Sequence, residues 1–473
     1  MNKLVQAMSK QDNKTVTENG MKIKKSSENA IVDLFFGIGA LRGNTDRAKE
    51  LFTKAFNENQ DLALRVALYA RDAREGMGER ETFRAILNQL AMLDYKVALK
   101  IIPLVPELGR WDDLFAFVGT PAEREALNSF AVALEKGNPL AGKWAPREKS
   151  AKAKWAGKLR AVMGLSSKEY RKTIVELTNV VEQQMSAKSW DKIEFSHVPS
   201  VAAARYQSAF LRNDEARYRD YLNKLTKGDD SVKINAGAVY PYDIYRSMVS
   251  GNEQAASAQW KALPDWIPEG KSFLPMIDVS GSMGVAATGS VSCMEVAISL
   301  GLYCAQKNKS VFKDTFVTFH SNPTFQNVSG LTLKQAFAKT RQSEWGMSTN
   351  IELAFTKLLE MAKKNKVPVD DMPNMVLILS DMQFDQAVRG PNKINANIKQ
   401  QYKEAGYTVP DIVYWNLRDC GSNTPVSFDK EGVALVSGFS PSIMKSVMSS
   451  DFEQFTPINI VLSTVMVDRY NWQ

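Results

Sequence analysis

The stretch Phe273–Met283 reads FLPMIDVSGSM, and it decides the fold class of the second half of the chain. Its first seven residues are mostly apolar, which is typical of a strand buried on both faces of a parallel sheet. A carboxylate and two hydroxyls follow at alternate positions, on Asp278, Ser280 and Ser282, where the strand gives way to a loop. Such oxygen donors are the ligands that a hard divalent cation prefers. The alternative is a strand-end turn held by local side-chain hydrogen bonds.

Two downstream segments could complete such a cation site. The segment GMSTN, at residues 346–350, contains Thr349 and precedes a helix-like stretch, and Asp381 follows the apolar run Met375–Leu379 after a single serine. Because ligand sites in parallel sheets lie at the carboxyl ends of the strands, we expect these groups to meet there. An all-oxygen set suits Mg²⁺, with Mn²⁺ or Ca²⁺ as alternatives. The predicted metal ligands are Asp278, Ser280, Ser282, Thr349 and Asp381.

Strand and helix patterns alternate through most of residues 271–473, which predicts parallel strands joined by right-handed crossovers. This is the pattern of a doubly wound, Rossmann-like α/β domain. The predicted strands are Phe273–Val279, Asp314–His320, Met375–Leu379, Ile412–Leu417 and Gly432–Ser437. The predicted helices between and after them are Met294–Ala305, Ile351–Lys363, Asn392–Tyr402 and Pro441–Met448.

The first half of the chain has a helical period instead. Residues 29–250 contain short amphipathic stretches separated by glycine or proline turns, with almost no strand signal. This pattern predicts a stack of helix pairs, a HEAT-like helical-repeat region. Residues 1–28 are a polar N-terminal lead. Residues 251–270 have little apolar periodicity, and we interpret them as the junction between the two domains.

The positive charge of the protein is concentrated in Lys143–Lys172. This segment has ten bases and two acids, so its excess equals the net charge of +8 of the whole chain. Trp144, Trp155 and Tyr170 are interleaved with the bases, a combination that suits single-stranded nucleic acid. The alternative is a solvated helical face on which long side chains cover the aromatic rings. The RNA-binding candidates are Lys143, Trp144, Arg147, Lys149, Lys152, Lys154, Lys158, Arg160, Arg171 and Lys172.

Two charged clusters in the helical half have two interpretations. They are Arg71–Arg80, which reads RDAREGMGER, and Glu107–Asp113, which reads ELGRWDD. Their charges could pair across adjacent helices and hold the turns. Alternatively, a partner or a phosphate group could be bound by Arg71, Arg74, Arg80 or Arg110.

Composition argues against several classes of protein. No apolar run is long enough to cross a bilayer and no secretory signal precedes the first helix, so we expect a cytoplasmic protein without a membrane partner. The cysteines are widely spaced at Cys293, Cys304 and Cys420, which predicts no disulfide framework. Catalysis at the predicted cation site would need a base, for which His320 and Asp385 are the evident candidates. We expect a protein that is not an enzyme.

Asp-x-Ser-x-Ser at the end of a buried strand resembles the metal-ion-dependent adhesion site of a von Willebrand factor A domain. With a helical region before it, the chain resembles the Ro (TROVE) ribonucleoproteins. It resembles more closely an uncharacterised family of plants, fungi, large viruses and phages that has the same two parts. The matching stretches include Arg71–Gly76, Gly109–Asp113, Lys143–Pro146, Tyr170–Lys172, Met185–Ala187, Val198–Ala202, Asp278–Met283, Trp345–Asn350 and Ser380–Met382, and they span about residues 30 to 470.

The resemblance implies the same five metal ligands, although Asp381-Met382 stands where the A domain usually has Asp-Gly. Ro proteins form a helical-repeat ring closed by the A domain, and they bind small noncoding RNAs and misfolded RNA ends on basic surfaces. By analogy, the resemblance implies a non-enzymatic RNA-binding scaffold. The alternative is a protein-interaction or assembly module, of phage, viral or chaperone type, in which an acidic side chain of a protein partner completes the cation shell. The oligomeric state stays open.

Overall fold

A computed structural model gives the fold of most of the chain. It describes residues 13–17, 20–178, 180–269, 272–319, 323–342, 351–384, 391–419, 421, 423–448 and 454–473. The chain divides into two compact units. The sheet unit comprises Met1–Val66, Tyr240–Arg246 and Asp265–Val467, and the helical unit comprises Ala67–Val239, Ser247–Pro264 and Asp468–Gln473.

In the described residues of the first half, the chain is helical apart from a short hairpin near its start. The hairpin consists of β1 (Lys14–Val16) and β2 (Lys22–Lys24). The helices are α1 (Ala30–Ile38), α2 (Thr45–Glu58), α3 (Gln60–Arg71), α4 (Glu81–Leu93), α5 (Tyr95–Ile101), α6 (Leu104–Leu108), α7 (Glu123–Glu135), α8 (Pro139–Trp144), α9 (Ala153–Val162), α10 (Ser167–Leu177), α11 (Val181–Ser186), α12 (Ser200–Asn213), α13 (Glu215–Lys227), α14 (Pro241–Val249) and α15 (Glu253–Lys261). Short 3₁₀ helices lie at Trp111–Phe117, Trp190–Lys192 and Phe195–His197.

The second half alternates between strands and helices. The strands are β3 (Phe273–Asp278), β4 (Ala286–Thr288), β5 (Val291–Ser292), β6 (Thr315–Phe319), β7 (Thr324–Asn327), β8 (Met375–Ser380), β9 (Asp411–Asn416) and β10 (Val433–Ser437). The helices are α16 (Cys293–Lys307), α17 (Leu333–Arg341), α18 (Ile351–Lys364), α19 (Pro391–Glu404), α20 (Ile443–Met448) and α21 (Pro457–Val465). Short 3₁₀ helices lie at Gly281–Gly284, Val369–Asp371 and Asp468–Tyr470. The predicted α plus α/β fold class is therefore confirmed.

Six of these strands form one mixed sheet in the order β10-β9-β8-β3-β6-β7. All neighbours are parallel except β6 and β7, which pair antiparallel at one edge. Strands β6 and β7 follow β3 in the sequence and lie on one side of it in the sheet. Strands β8, β9 and β10 come later in the sequence and lie on the other side of β3. The order therefore reverses between β3 and β8, and such a switch point is where open α/β sheets usually bind ligands.

The two strands at the switch point are buried along their whole length, which explains why their sequences are apolar runs without alternation. Helix α16 packs closely on β3. A Cβ atom on Gly301 of α16 would lie 2.5 Å from Ile277 of β3, so only glycine allows this approach. The helix therefore fixes the strand that ends in Asp278.

The N-terminal residues belong to the sheet unit. Helix α1 packs against β10 and α21. The Ser437 hydroxyl at the end of β10 donates a 2.9 Å hydrogen bond to the Phe35 carbonyl and accepts one of 3.0 Å from the Gly39 amide. The β1–β2 hairpin is held by a 2.6 Å hydrogen bond from the Thr17 hydroxyl to the Phe384 carbonyl. Patterning of the sequence predicted neither this hairpin nor the packing of α1 on the sheet.

The helical unit contains a separate apolar core in its second part. Its centre is a group of aromatic side chains on α12, α13 and the 3₁₀ helix at Phe195–His197. The rings of Phe195, Phe210, Tyr218 and Tyr221 form five contacting pairs whose centres are 4.9 to 5.9 Å apart. The predicted helical region is confirmed, while the HEAT-like repeat and the ring stay predictions. In the part of the chain that the structure describes, no helix has both the length and the apolar content needed to span a bilayer.

The predicted strands of the second half are confirmed to within two residues at each end. Strands β4, β5 and β7 and helices α17 and α21 were not predicted. The predicted domain boundaries at residues 28, 250 and 270 stay predictions. The two compact units are defined by contacts in space instead, and each includes several separate stretches of the chain.

Candidate metal site

Asp278 is the last residue of β3, and its carboxylate is completely buried. It accepts a 2.9 Å hydrogen bond on Oδ1 from the Ser280 amide, which closes the turn after the strand. On Oδ2 it accepts a 2.6 Å hydrogen bond from the hydroxyl of Ser380, the last residue of the neighbouring strand β8. The carboxylate is therefore fixed in position by groups on two adjacent strands.

Ser280 and Ser282 follow in the turn that leads into the 3₁₀ helix at Gly281–Gly284. Their hydroxyl oxygens are 3.0 Å apart, Ser280 is 2% exposed and Ser282 is partly buried. The alternation of Asp278, Ser280 and Ser282 in the sequence therefore places three oxygen-bearing side chains together. The local hydrogen bonds that the turn interpretation required are also present, so the two interpretations are compatible.

Asp381 lies directly after β8 and is also completely buried. Its Oδ1 accepts a 3.2 Å hydrogen bond from the Gln383 amide, and its Oδ2 lies 3.8 Å from Nη1 of Arg418, which follows β9. Burial, and then the negative charge of Asp381, raise the pKa of Asp278 to about 7, although Ser380 and Ser280 donate to it. Two carboxylates thus share a buried region at the carboxyl edge of the sheet, where bringing like charges together is costly.

Met382, the residue after Asp381, has φ of +63° and a side chain that is 4% exposed. A positive φ in this range favours glycine. The Met382 amide donates a 3.0 Å hydrogen bond to the Ser380 hydroxyl, which holds the strained backbone in place. The turn that glycine usually makes is therefore made by a buried methionine.

Four of the five predicted ligands, Asp278, Ser280, Ser282 and Asp381, lie at or just beyond the carboxyl ends of the adjacent strands β3 and β8. The fifth, Thr349, lies outside the described residues, as do His320 and Asp385, the candidate bases, and Cys420. Among the described residues, no three side chains of His, Cys, Asp or Glu are grouped as a metal site would require. A cation here would therefore depend on hydroxyl and water ligands as well as carboxylates, which fits Mg²⁺ rather than zinc.

Sequence reasoning missed two residues of this site, Ser380 and Arg418. Ser380 stands beside Asp381 in the sequence, and its position at a strand end was the available signal. Arg418 lies two residues beyond β9, and only the strand order shows that this places it beside Asp381.

The predicted RNA-binding bases are largely engaged within the helical unit. Lys152 Nζ lies 2.8 Å from Asp112, Arg160 Nε 3.3 Å from Glu148 and Lys172 Nζ 3.8 Å from Glu176. Lys158 pairs with Glu123, and Arg147 donates a 2.8 Å hydrogen bond to the Thr178 hydroxyl. These contacts indicate that much of the basic segment stabilises its own unit.

The aromatic residues of the segment also have internal partners. The Arg110 guanidinium lies 4.2 Å above the Trp144 ring, with the Lys143 ammonium 5.5 Å from the same ring. Trp155 stacks on Phe115 with ring centres 4.9 Å apart. Three candidates, Lys149, Lys154 and Arg171, are exposed, and within the described ranges no carboxylate lies within 4.0 Å of them.

The two charged clusters of the helical half pair with each other. Asp113 is completely buried and accepts 2.7 Å hydrogen bonds from Arg71 and from Arg84. Asp112 lies 2.9 Å from Arg84 and 2.8 Å from Lys152. The pairing interpretation is therefore correct for Arg71, which is itself 2% exposed and is not available to a phosphate group.

The fold and the site define a class of protein with a helical region followed by a doubly wound, mixed α/β sheet, with buried carboxylates at the switch point of the sheet. The chain belongs to the same family as the uncharacterized protein L728 of Acanthamoeba polyphaga mimivirus. The two are 30% identical over an alignment of 507 residues, which covers 95% of this chain and 87% of that protein.

Two family models match separate parts of the chain. Residues 272–462 match the domain of unknown function DUF7788, and residues 17–93 and 142–269 match the domain of unknown function DUF2828. The structure is also similar to the crystal structure of the Deinococcus radiodurans RO (RSR) protein, with a TM-score of 0.48 and 15% identity. That similarity covers 89% of this chain and 93% of the other.

Proposed function

We propose that this protein is a non-enzymatic binding scaffold whose sheet unit binds Mg²⁺ and uses it to bind an acidic group of a partner protein. The observation that carries the proposal is the pair of completely buried carboxylates, Asp278 and Asp381, at the switch point of the sheet. Two buried negative charges this close destabilise the fold unless a positive charge compensates them. Arg418, 3.8 Å from Asp381, supplies part of that charge, and a divalent cation would supply the rest.

Four described residues would hold the cation: Asp278, Ser280, Ser282 and Asp381. The two carboxylates would supply negative charge, and the two hydroxyls neutral oxygen atoms. When bound, Mg²⁺ adds a strong electrostatic anchor with coordination positions that water or a ligand oxygen can occupy. The hydrogen bonds from the Ser380 hydroxyl and from the Ser280 amide hold the Asp278 carboxylate in one orientation. Binding of a cation would therefore cost little conformational entropy at this side chain.

Thermal unfolding with and without Mg²⁺ tests the cation site. We expect Mg²⁺ to raise the unfolding temperature of the wild-type protein, because a ligand that binds only the folded state stabilises it. Asp278→Asn should abolish the rise. The matched control is Asp429→Asn, which removes the same charge from an exposed position in the same unit and should leave the rise unchanged. Equal Mg²⁺ responses of all three proteins would contradict the proposal.

A second candidate function is RNA binding by the helical unit. It is supported by the three exposed bases Lys149, Lys154 and Arg171, which have no carboxylate within 4.0 Å among the described residues. Phosphate contacts of this kind give an affinity that falls steeply with salt. The internal pairing of Lys152, Lys158, Arg160 and Lys172 makes this surface smaller than the sequence predicted.

Filter binding of single-stranded and structured RNA over a series of salt concentrations tests this candidate. The triple variant Lys149→Gln, Lys154→Gln, Arg171→Gln should weaken binding and flatten its salt dependence. A triple glutamine variant of Lys96, Lys136 and Lys227 removes the same charge from exposed positions elsewhere in the helical unit and serves as the control. Binding that is about micromolar or weaker at low salt, or that has no salt dependence, would remove RNA as a ligand.

A further inference from the structure

Arg418 lies beside the candidate metal site, on the side opposite Asp278. Strand β8 lies between β3 and β9, so a residue that follows β8 has neighbours from both. The chain beyond β9 stays next to β8, because the Leu417 amide donates a 3.0 Å hydrogen bond to the Ser380 carbonyl. This brings Arg418 Nη1 to 3.8 Å from Asp381 Oδ2. Unlike the two carboxylates, the Arg418 side chain is 29% exposed.

The charges at this edge do not balance once a divalent cation is present. Asp278 and Asp381 together carry two negative charges when both are ionised, and a divalent cation cancels them. With the cation bound, Arg418 adds a positive charge that Asp278 and Asp381 no longer neutralise. A net positive charge in a mostly buried place attracts an anion, and the exposed part of Arg418 is where that anion would approach.

The chemistry of the guanidinium group indicates which anion would bind. A guanidinium is planar and carries N–H donors in fixed directions, so it can hold one oxygen of a carboxylate and leave the other oxygen for the cation. A lysine at this position would supply the charge without that geometry. The 3.8 Å between Arg418 Nη1 and Asp381 Oδ2 is longer than a hydrogen bond. The ion pair with Asp381 therefore does not fix the direction of the guanidinium N–H groups.

We infer that Arg418 is a positioning residue for the ligand of the cation: it donates to one oxygen of a carboxylate on a partner protein while the other oxygen binds the cation. This inference rests on the cation site proposed above. It has two consequences of opposite sign. Arg418 weakens binding of the cation, because their positive charges repel, and it strengthens binding of a carboxylate to the loaded site.

The test uses Mn²⁺ and acetate as probes, with free Mn²⁺ measured by electron paramagnetic resonance and acetate binding by water-proton relaxation, at pH 8. Arg418→Gln should bind Mn²⁺ about fivefold more tightly than the wild type, because a nearby positive charge is removed. The Mn²⁺-bound Arg418→Gln variant should bind acetate about tenfold more weakly than the Mn²⁺-bound wild type, because a charge-assisted hydrogen bond is lost. Arg418→Lys should bind Mn²⁺ like the wild type and recover only part of the acetate affinity.

The matched control is Lys399→Gln, which removes one positive charge near Gly432, at the amino end of β10 and thus at the opposite edge of the sheet. It should leave both affinities unchanged. Weaker binding of Mn²⁺ and acetate together in Arg418→Gln would indicate a distorted site and overturn the inference. If Arg418→Gln binds both Mn²⁺ and acetate with the affinities of the wild type, the inference about Arg418 is wrong, while the proposed cation site is not affected.

Two further outcomes separate the inference from its foundation. If neither the wild type nor any variant binds Mn²⁺, the proposed cation site is wrong and the role of Arg418 falls with it. If inorganic phosphate binds the Mn²⁺-loaded wild type and acetate does not, the carboxylate assignment is overturned.

Discussion

The Ser380 hydroxyl donates a 2.6 Å hydrogen bond to Oδ2 of Asp278, a residue 102 positions earlier in the chain. The bond joins the ends of β3 and β8, which are the two strands at the switch point of the sheet. It therefore fixes the distance between the strand ends that present Asp278 and Asp381. The candidate site depends on this cross-strand contact as much as on its ligands.

Ser380→Ala should destabilise the protein. It leaves Oδ2 of a completely buried carboxylate without this donor, and such a loss costs about 1–3 kcal/mol. Urea unfolding measures the change in the free energy of unfolding. The control is Ser463→Ala, on α21, whose partly buried hydroxyl donates a 3.0 Å hydrogen bond to the Ile460 carbonyl of its own helix. Equal stability of the two variants would show that the Ser380–Asp278 contact is unimportant.

Asp113→Ala should be among the most destabilising single substitutions in the helical unit. It leaves Arg71, which is 2% exposed, and Arg84 without their shared carboxylate. Removal of one partner from a buried ion pair costs about 3–5 kcal/mol, because the remaining charge stays buried. Chemical denaturation provides the measurement.

Lys172→Gln is the comparison for Asp113→Ala. It breaks an exposed pair with Glu176 in the same unit, and such a pair contributes about 0–1 kcal/mol. A loss for Asp113→Ala no larger than the loss for Lys172→Gln would contradict a structural role for the charged clusters.

The pair formed by Asp72 and Arg469 should make stability depend on pH at the acid end. Burial acts to raise the pKa of Asp72, but the hydrogen bond from Arg469, backbone amides and the charge of Arg469 outweigh it, so the pKa lies below its ordinary value. A carboxyl with a lowered pKa contributes stability above its unfolded-state pKa and loses it as the pH falls through the folded-state pKa.

The difference in unfolding free energy between the wild type and Arg469→Gln should therefore be largest near neutral pH and shrink below about pH 4. Arg469 Nη2 donates to Asp72 Oδ1 at 2.9 Å, so glutamine removes both the charge and this bond. Denaturation curves at pH 7, 5 and 3 measure the difference. A difference that grows on acidification would have the wrong sign and would exclude this account of the pair.

Phe35→Ala should destabilise the sheet unit by about 3–5 kcal/mol, because Phe35 is completely buried on a helix that packs against β10.

A fragment of residues 271–473 should fail to fold cooperatively, because it lacks the N-terminal helix α1 that packs against β10. Circular dichroism of the fragment against the full chain measures this. Cooperative unfolding of the isolated fragment would mean that α1 is dispensable.

The sequence predicted the central strands and the edge at which polar groups gather, because strands buried on both faces leave apolar runs that end abruptly in polar residues. Strand β7 could not be predicted this way, since TFQN at an antiparallel edge is only partly buried and has no apolar run. The apolar pattern of α1 fits any buried helix and does not specify a sheet as its partner. The position of Arg418 follows from the strand order, which local patterns do not encode.

The basic segment shows a different limit of sequence reasoning. Counting charges showed an excess between Lys143 and Lys172 but could not show that Lys152 and Lys158 pair with acids 40 and 35 residues earlier. These two acids, Asp112 and Glu123, lie outside the segment Lys143–Lys172, so a charge count over that segment omits them. Local charge therefore overestimated the surface available to a nucleic acid.

The most direct test of the cation site is a crystal structure of the protein grown with Mn²⁺, with anomalous data collected at the manganese edge. We predict an anomalous peak about 2.0–2.4 Å from the hydroxyl oxygens of Ser280 and Ser282, on the same side of the sheet edge as Asp278 and Asp381. The Asp278→Asn protein, treated in the same way, should lack the peak. A wild-type crystal with no peak there, at a Mn²⁺ concentration that fills other sites on the molecule, would contradict the account.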